Sequence, residues 1–335
     1  MRRDAEESGA ICLRLEVPEE RSLPSLLAPA LRQVLLRLSR VKSAKQLAER
    51  GLRALAGFAN SLKIKYGDIQ VGLDLAPERG LADNGDLEID LIALLEAVGQ
   101  AAKKAGTAVV LFMDELQYLK EKEFAVLISA LHQCSQQKLP VTLVGAGLPQ
   151  LVALAGKAKS YAERLFDYPM VGPLSVEDAT VAIVKPAAAE EVQFEPGAVD
   201  EIISATQCYP YFLQEWGKHA WDVAEDSPIT LEDVKKANIE AIAALDESFF
   251  RVRLDRLTPA EKIYMRGMAE LGAGPHRSGD IAQVLGKPVE KIGPVRNNLI
   301  RKGMIWSPGH GDTAFTVPLF DQYMKRIMPE TSGRQ

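Results

Sequence analysis

Over the first 150 residues, apolar positions alternate between helical spacing and short unbroken runs. Residues 1–8 read as the end of a helix stopped by Gly9, and residues 10–17 follow as a strand. Leu27, Leu31, Val34, Leu35 and Leu38 recur at helical spacing, so an amphipathic helix is expected over 23–38. A further helix is expected over 44–61, interrupted by Gly51 and Gly57. Residues 62–66 and 69–75 alternate around Gly67-Asp68 in the manner of a β-hairpin. A loop, a helix over 87–104 ending at Gly106, the apolar run Val109 to Met113, a helix over 122–137 and the run Val141 to Val144 complete this part. Strands that alternate with helices predict a parallel sheet with helices on its faces, and five consecutive large apolar residues predict that its Val109 strand is buried on both sides.

After Pro173 the pattern becomes helical. Ser175, with Asp178 three residues on, starts one helix; helices surround Cys208 to Gln214; Thr230 starts another. From 255 onwards the punctuation changes again. Thr258-Pro259-Ala260-Glu261 caps a helix running towards Leu271, residues 278–285 form a short helix stopped by Gly286, and residues 289–302 form a third. Residues 303–306 and 313–317 flank a glycine-containing loop as a hairpin. Three helices with a tight middle turn and a wing make a winged helix-turn-helix.

The chemistry stands at Asp114-Glu115, where the buried run ends. Open α/β sheets bind ligands at the carboxyl ends of their strands. There the first carboxylate of a pair can hold hydrated Mg2+, and the second can orient or deprotonate a water attacking a phosphate. The plainer alternative is a buried strand followed by an acidic, solvated helix start.

Charge sharpens the picture of the C-terminal part. The chain carries a net −5, but residues 251–335 hold 14 Lys/Arg against 8 Asp/Glu, so an acidic body precedes a basic end that is expected to meet a polyanion. On the third helix Lys291, Arg296, Asn297, Asn298, Arg301 and Lys302 are the candidate DNA-binding residues; Arg and Lys suit phosphates or guanine edges and Asn suits adenine. Cys12, Cys134 and Cys208 match no zinc or redox spacing and read as reduced core or near-core residues. Apolar runs are too short for a membrane span and the N-terminus lacks a secretion signal, so a cytoplasmic protein with no membrane partner is expected.

The stretch Val109 to Gln117 resembles the Walker B motif of AAA+ and STAND-type P-loop ATPases, and the phrase from Val295 to Ile305 resembles the recognition helix and first wing strand of a winged helix. The resemblance, to origin-licensing ATPases in particular, covers nearly the whole chain. It implies an ATPase using ATP and Mg2+, with Asp114 holding the metal and Glu115 activating water. It also implies an arginine finger acting on a neighbouring subunit, for which Arg164 is the candidate, and hence self-association. A helical lid whose Tyr209-Pro210 turn packs over the nucleotide is implied too; Cys208 stands where that turn usually has glycine. Gly145-Ala146-Gly147 follows the next strand, where a polar residue that senses the γ-phosphate is usual. The implied division is a core over 1–172, a lid over 173–250 and a winged-helix domain over 251–335, with Met170 to Gly172 in the last core strand.

One part of the family pattern is missing. No Gly-x-x-x-x-Gly-Lys-Ser/Thr occurs in the 335 residues, and this Walker A loop supplies the amides and lysine that cradle the phosphates. On this reading the chain begins inside the helix that follows the P-loop. It therefore lacks a strand beside Val141–Val144, is inactive alone and exposes an unpaired strand edge. Two rival readings stay open: a non-catalytic winged-helix DNA-binding regulator, and a protein-interaction switch whose winged helix binds a protein partner.

Overall fold

The computed structural model describes residues 1–64 and 76–329. The hairpin expected over 62–75 lies, beyond Ile64, outside the described residues. The chain divides into two compact units, Met1–Pro169 and Met170–Gln335.

The first unit has the expected alternation. Helix α1 (Arg2–Glu7) stops at Gly9, whose φ of 83° is open to glycine, and β1 (Ile11–Glu16) follows. Helices α2 (Leu23–Leu38), α3 (Lys45–Ser61) and α4 (Leu87–Ala105) come next, then β2 (Val109–Asp114), α5 (Glu121–Gln136), β3 (Val141–Gly145), α6 (Leu151–Ala158) and the short α7 (Ala162–Leu165). The three strands are parallel in the order β1-β2-β3. Central β2 is paired on both sides, which is why Val109, Val110, Leu111 and Met113 are all buried rather than alternating. Strand β3 is an edge of the described sheet, and its Leu143 and Val144 are only half-buried.

Helix α4 begins where Asp86 accepts hydrogen bonds from the Glu88 and Ile89 amides at 2.9 and 3.0 Å. Asp90, one turn on, is fully buried. It is tolerated because donors surround it: the Asn84 amide (2.9 Å) and side chain (3.0 Å), the Gly85 amide (2.9 Å) and the Ser61 hydroxyl (3.0 Å). This carboxylate fastens the loop before α4 to the end of α3. Burial pushes the Cys134 thiol up to about 12, so it behaves as a small apolar core group.

The expectation of a strand at Met170 to Gly172 fails. These residues form no strand, and Met170 and Val171 are 66% and 94% exposed. Apolar character is not enough for a strand: three residues ending at Pro173 offer few ladder donors, and no described strand lies alongside.

The second unit opens with α8 (Val176–Ala189), α9 (Pro196–Thr206), α10 (Pro210–Val223) and α11 (Leu231–Leu245). Ser175 and Thr230 accept from the amides three residues on, as their sequences predict. A π-helical turn, Asp246–Phe250, leads to α12 (Arg251–Asp255). It delivers Phe250, 1% exposed, among the rings of Phe212, Phe249, Phe320 and Tyr323 at 5.9, 5.3, 5.5 and 5.0 Å.

The rest of this unit is α13 (Pro259–Glu270), β4 (His276–Arg277), α14 (Ser278–Val284), α15 (Val289–Arg301), β5 (Ile305–Trp306), β6 (Asp312–Phe315) and α16 (Phe320–Ile327). Its antiparallel sheet has the order β4-β6-β5. Thr258 and Glu261 form the reciprocal cap expected of α13. Glu261 is also buried against the Lys302 ammonium at 2.8 Å. Burial alone would raise its pKa; the hydrogen bonds from Lys302 and Thr258 outweigh that and hold the carboxyl below its ordinary value.

Candidate functional site

Because β2 is the middle strand, its carboxyl end is the centre of the sheet's edge, and Asp114 and Glu115 stand there. Asp114 is exposed, and its Oδ1 accepts from the Glu115 amide at 2.8 Å. Glu115 has φ 57° and ψ 36°, a left-handed conformation that a glutamate adopts only when its surroundings impose it.

Those surroundings are the turn beyond it and the loop after β3. The Leu116 amide donates to the Ala146 carbonyl at 3.1 Å, and the Ala146 amide donates to the Met113 carbonyl at 2.8 Å. Gln117 completes the clamp. Its Nε2 donates to Glu115 Oε2, and its Oε1 accepts from the Leu148 amide at 3.1 Å. One amide side chain thus fixes the carboxylate to the neighbouring loop. The glycines beside it are there for space: a Cβ on Gly145 would lie 2.3 Å from Leu116 Cδ1, and one on Gly147 would lie 2.8 Å from Gln117 Oε1. Sequence reasoning left Gln117 without a role; its signal was an amide just after the acidic pair, inside the same short helical turn. Gln117→Leu removes both hydrogen bonds of the clamp. It is expected to lower stability by about 1 kcal/mol, read from the urea midpoint of the first unit's unfolding.

As a metal site the arrangement is incomplete by itself. No group of three or more His, Cys, Asp or Glu side chains that could hold an ion occurs among the described residues. A lone exposed carboxylate at a strand end fits Mg2+ of the kind that keeps several waters and takes its remaining ligands from substrate phosphates. It does not fit a closed protein cage.

Other sequence-derived candidates fall elsewhere. Arg164 is exposed on α7 and makes no ion pair among the described residues. Tyr209 and Pro210 are in the second unit, at the N-cap and first residue of α10. Cys208 before them has φ 57°, a left-handed conformation that glycine adopts most easily.

All six C-terminal candidates lie on α15 or at its end, but not all are free. The Arg296 guanidinium reaches Thr313 Oγ1 (2.7 Å), Ser307 Oγ (2.9 Å) and the Asp312 carbonyl (2.7 Å), so it bolts α15 to the β5–β6 hairpin. Lys302 is held by Glu261 and the Arg256 carbonyl, each at 2.8 Å. Arg301 and Asn298 are exposed and bonded to each other at 2.7 Å, and Lys291 and Asn297 are exposed. Of the six candidates, Arg296 and Lys302 thus use donors internally, while Lys291, Asn297, Asn298 and Arg301 are exposed. Residue type and spacing predicted a basic helix but not which cations its own hairpin and caps would take up.

The chain has an α/β fold with a parallel sheet flanked by helices, like that of a solved Walker-type ATPase. It superposes on the Walker-type ATPase of Pyrococcus abyssi with a TM-score of 0.56 and 14% identity, over 97% of this chain and 89% of that one. Weaker likenesses are to the Aeropyrum pernix ORC1 protein in complex with DNA (TM-score 0.41, 14% identity, 97% and 80% of the two chains) and to the Thermotoga maritima RuvB Holliday junction branch migration motor (TM-score 0.35, 17% identity, 68% and 80%). A domain of unknown function, DUF8462, matches residues 247–324. No curated protein sequence matches the chain. Among the described residues no helix is long and apolar enough to cross a membrane.

Proposed function

We propose that the chain is an AAA+-type ATP-binding and ATP-hydrolysing protein that couples nucleotide state to DNA or protein binding through a winged helix. The observation that carries this reading is the Asp114-Glu115 pair at the carboxyl end of the middle parallel strand, with Glu115 left-handed and its carboxylate held by Gln117. In the assigned roles, Asp114 holds Mg2+, Glu115 orients and deprotonates the attacking water, and Gln117 positions Glu115. Bound Mg2+ neutralises charge on the transferring phosphoryl group. Arg164, exposed and without an ion pair among the described residues, is assigned to act on a neighbouring copy. Residues 173–250 are assigned as the lid, with Tyr209-Pro210 as its nucleotide-binding turn, and residues 251–335 as the winged helix, a reading that the succession α13-β4-α14-α15-β5-β6 supports. Lys291, Asn297, Asn298 and Arg301 are the residues it presents to DNA.

These 335 residues hold no Walker A sequence, so by themselves they are expected to bind ATP only weakly. The test is calorimetric ATP binding by this chain beside a form preceded in frame by a strand, Walker A loop and helix. Binding by the longer form alone supports the reading. Micromolar binding by the 335 residues overturns the predicted inactivity, and no binding by either form overturns the ATPase assignment. The exposed polar face of α15 favours, in that last case, a non-catalytic DNA-binding regulator.

A further inference from the structure

The first unit carries a strongly basic corner that none of the roles above uses. Residues 32–53 contain seven Lys/Arg and one acidic residue, Glu49. Arg40, Lys42 and Lys45, at the turn from α2 to α3, are exposed. The Ser43 hydroxyl donates to the Lys104 carbonyl at 3.3 Å, which fastens this turn to the C-terminal end of α4 and brings the exposed Lys103 and Lys104 alongside. Lys103 in turn lines a cavity of about 480 Å³ with Ser8, Thr107, Lys138 and Pro140. That cavity lies at the amino ends of β2 and β3, opposite the Asp114 end of the sheet.

Six exposed cations therefore run from Arg40 to Lys138. Among them the described ion pairs include only Lys45 with Glu49, at 4.0 Å. Of the acidic groups, Glu96 is engaged by Gln137, Asp4 by the N-terminal ammonium and Glu6 by Arg2, while Glu7, beside the cavity-lining Ser8, is exposed and makes no ion pair among the described residues. Such a concentration of charge, in a unit whose acidic and basic residues nearly balance overall, calls for a partner of opposite sign.

The form of the corner says which. The Ser8 and Thr107 hydroxyls donate to the Asp4 and Gly9 carbonyls, at 2.7 and 2.8 Å, so the cavity has no uncommitted side-chain donors beyond its lysines. It lacks the buried polar anchor that grips a small anion. A row of solvated ammonium and guanidinium groups instead suits a repeating phosphate backbone, which gains affinity by releasing counterions. We infer that this corner, formed by the α2–α3 turn, the end of α4 and Lys138, binds the backbone of duplex nucleic acid. It is a second binding surface, independent of α15 and of nucleotide.

The test is fluorescence anisotropy of the full chain with a labelled 20-base-pair duplex across a salt series. It compares Lys42→Glu/Lys103→Glu/Lys104→Glu with Lys291→Glu/Arg301→Glu on α15. The triple variant is expected to bind tenfold or more weakly at low salt, and its salt slope to fall by roughly 2–3, about 0.9 for each phosphate no longer neutralised. Lys→Gln at the same three positions, which only neutralises, is expected to give a smaller loss of the same kind. Unchanged affinity and slope in the triple variant overturns the assignment, as does an absence of duplex binding by the unaltered chain. Loss of self-association in place of duplex binding also overturns it, and would point to the acidic segment 170–250 of a second copy, which holds 16 Asp/Glu against four Lys/Arg.

Discussion

Glu115→Gln is expected to lower ATP turnover by about 10²–10⁴-fold in the form that carries a Walker A loop, with ATP affinity unchanged. The substitution keeps the side chain's shape and removes its capacity to take a proton. Gln117 is the reason the geometry should survive: its amide can donate to the new carbonyl oxygen as it does to Glu115 Oε2. The left-handed backbone at 115 is equally accessible to glutamine. Turnover is measured by phosphate release and affinity by calorimetry on the same preparation. A variant that hydrolyses ATP at the unaltered rate removes Glu115 from the chemistry. A variant that loses binding and turnover together shows instead that the residue shapes the site.

The second large effect is structural. Phe250→Ala is expected to destabilise the second unit by about 3–5 kcal/mol, the range for deleting a buried aromatic side chain. Phe250 links Phe212 on α10, Phe249 on its own π-helical turn, and Phe320 and Tyr323 on α16, so its removal opens a cavity where three elements meet. None of those neighbours can close the gap without tilting away from the other rings. Tyr211→Ala, at a position 40% exposed, serves as the control and is expected to cost much less. Urea unfolding followed by near-ultraviolet circular dichroism separates the two. Equal destabilisation would mean that the ring cluster does not hold these elements together.

The contrast between these residues shows what could be read from the chain alone. Periodicity defined α2 to the residue, and the unbroken run at Val109 placed the central strand, because burial on both faces leaves a signal that needs no knowledge of the partners. Caps were equally legible at Ser175, Thr230 and Thr258, since each depends on a residue three positions away. Non-local arrangements left no such trace. The π-helical turn at Asp246–Phe250 and the two-residue strand β4 are set by packing and pairing with distant segments. Whether Arg296 faces a ligand or Thr313 depends on where the hairpin returns. Met170 and Val171 are apolar without being buried, and no element in the described fold covers them. At the candidate site the acidic pair was visible, whereas the clamp that orients it depends on Gln117 meeting a loop some 30 positions on, at Leu148.

The fit of Leu116 over Gly145 also bears on how such sequences diverge. A Cβ at the last position of β3 would lie 2.3 Å from Leu116 Cδ1, so a side chain there requires the end of that leucine to move aside. A side chain at 145 is accommodated most readily where 116 is smaller, and a larger residue at 116 favours glycine at 145. Across homologous chains the two positions should therefore covary as alternatives, with Leu-Gly in one lineage and small-polar in another. If the proposed ATPase reading holds, chains that keep Leu116 are expected to place a γ-phosphate sensor elsewhere than at 145.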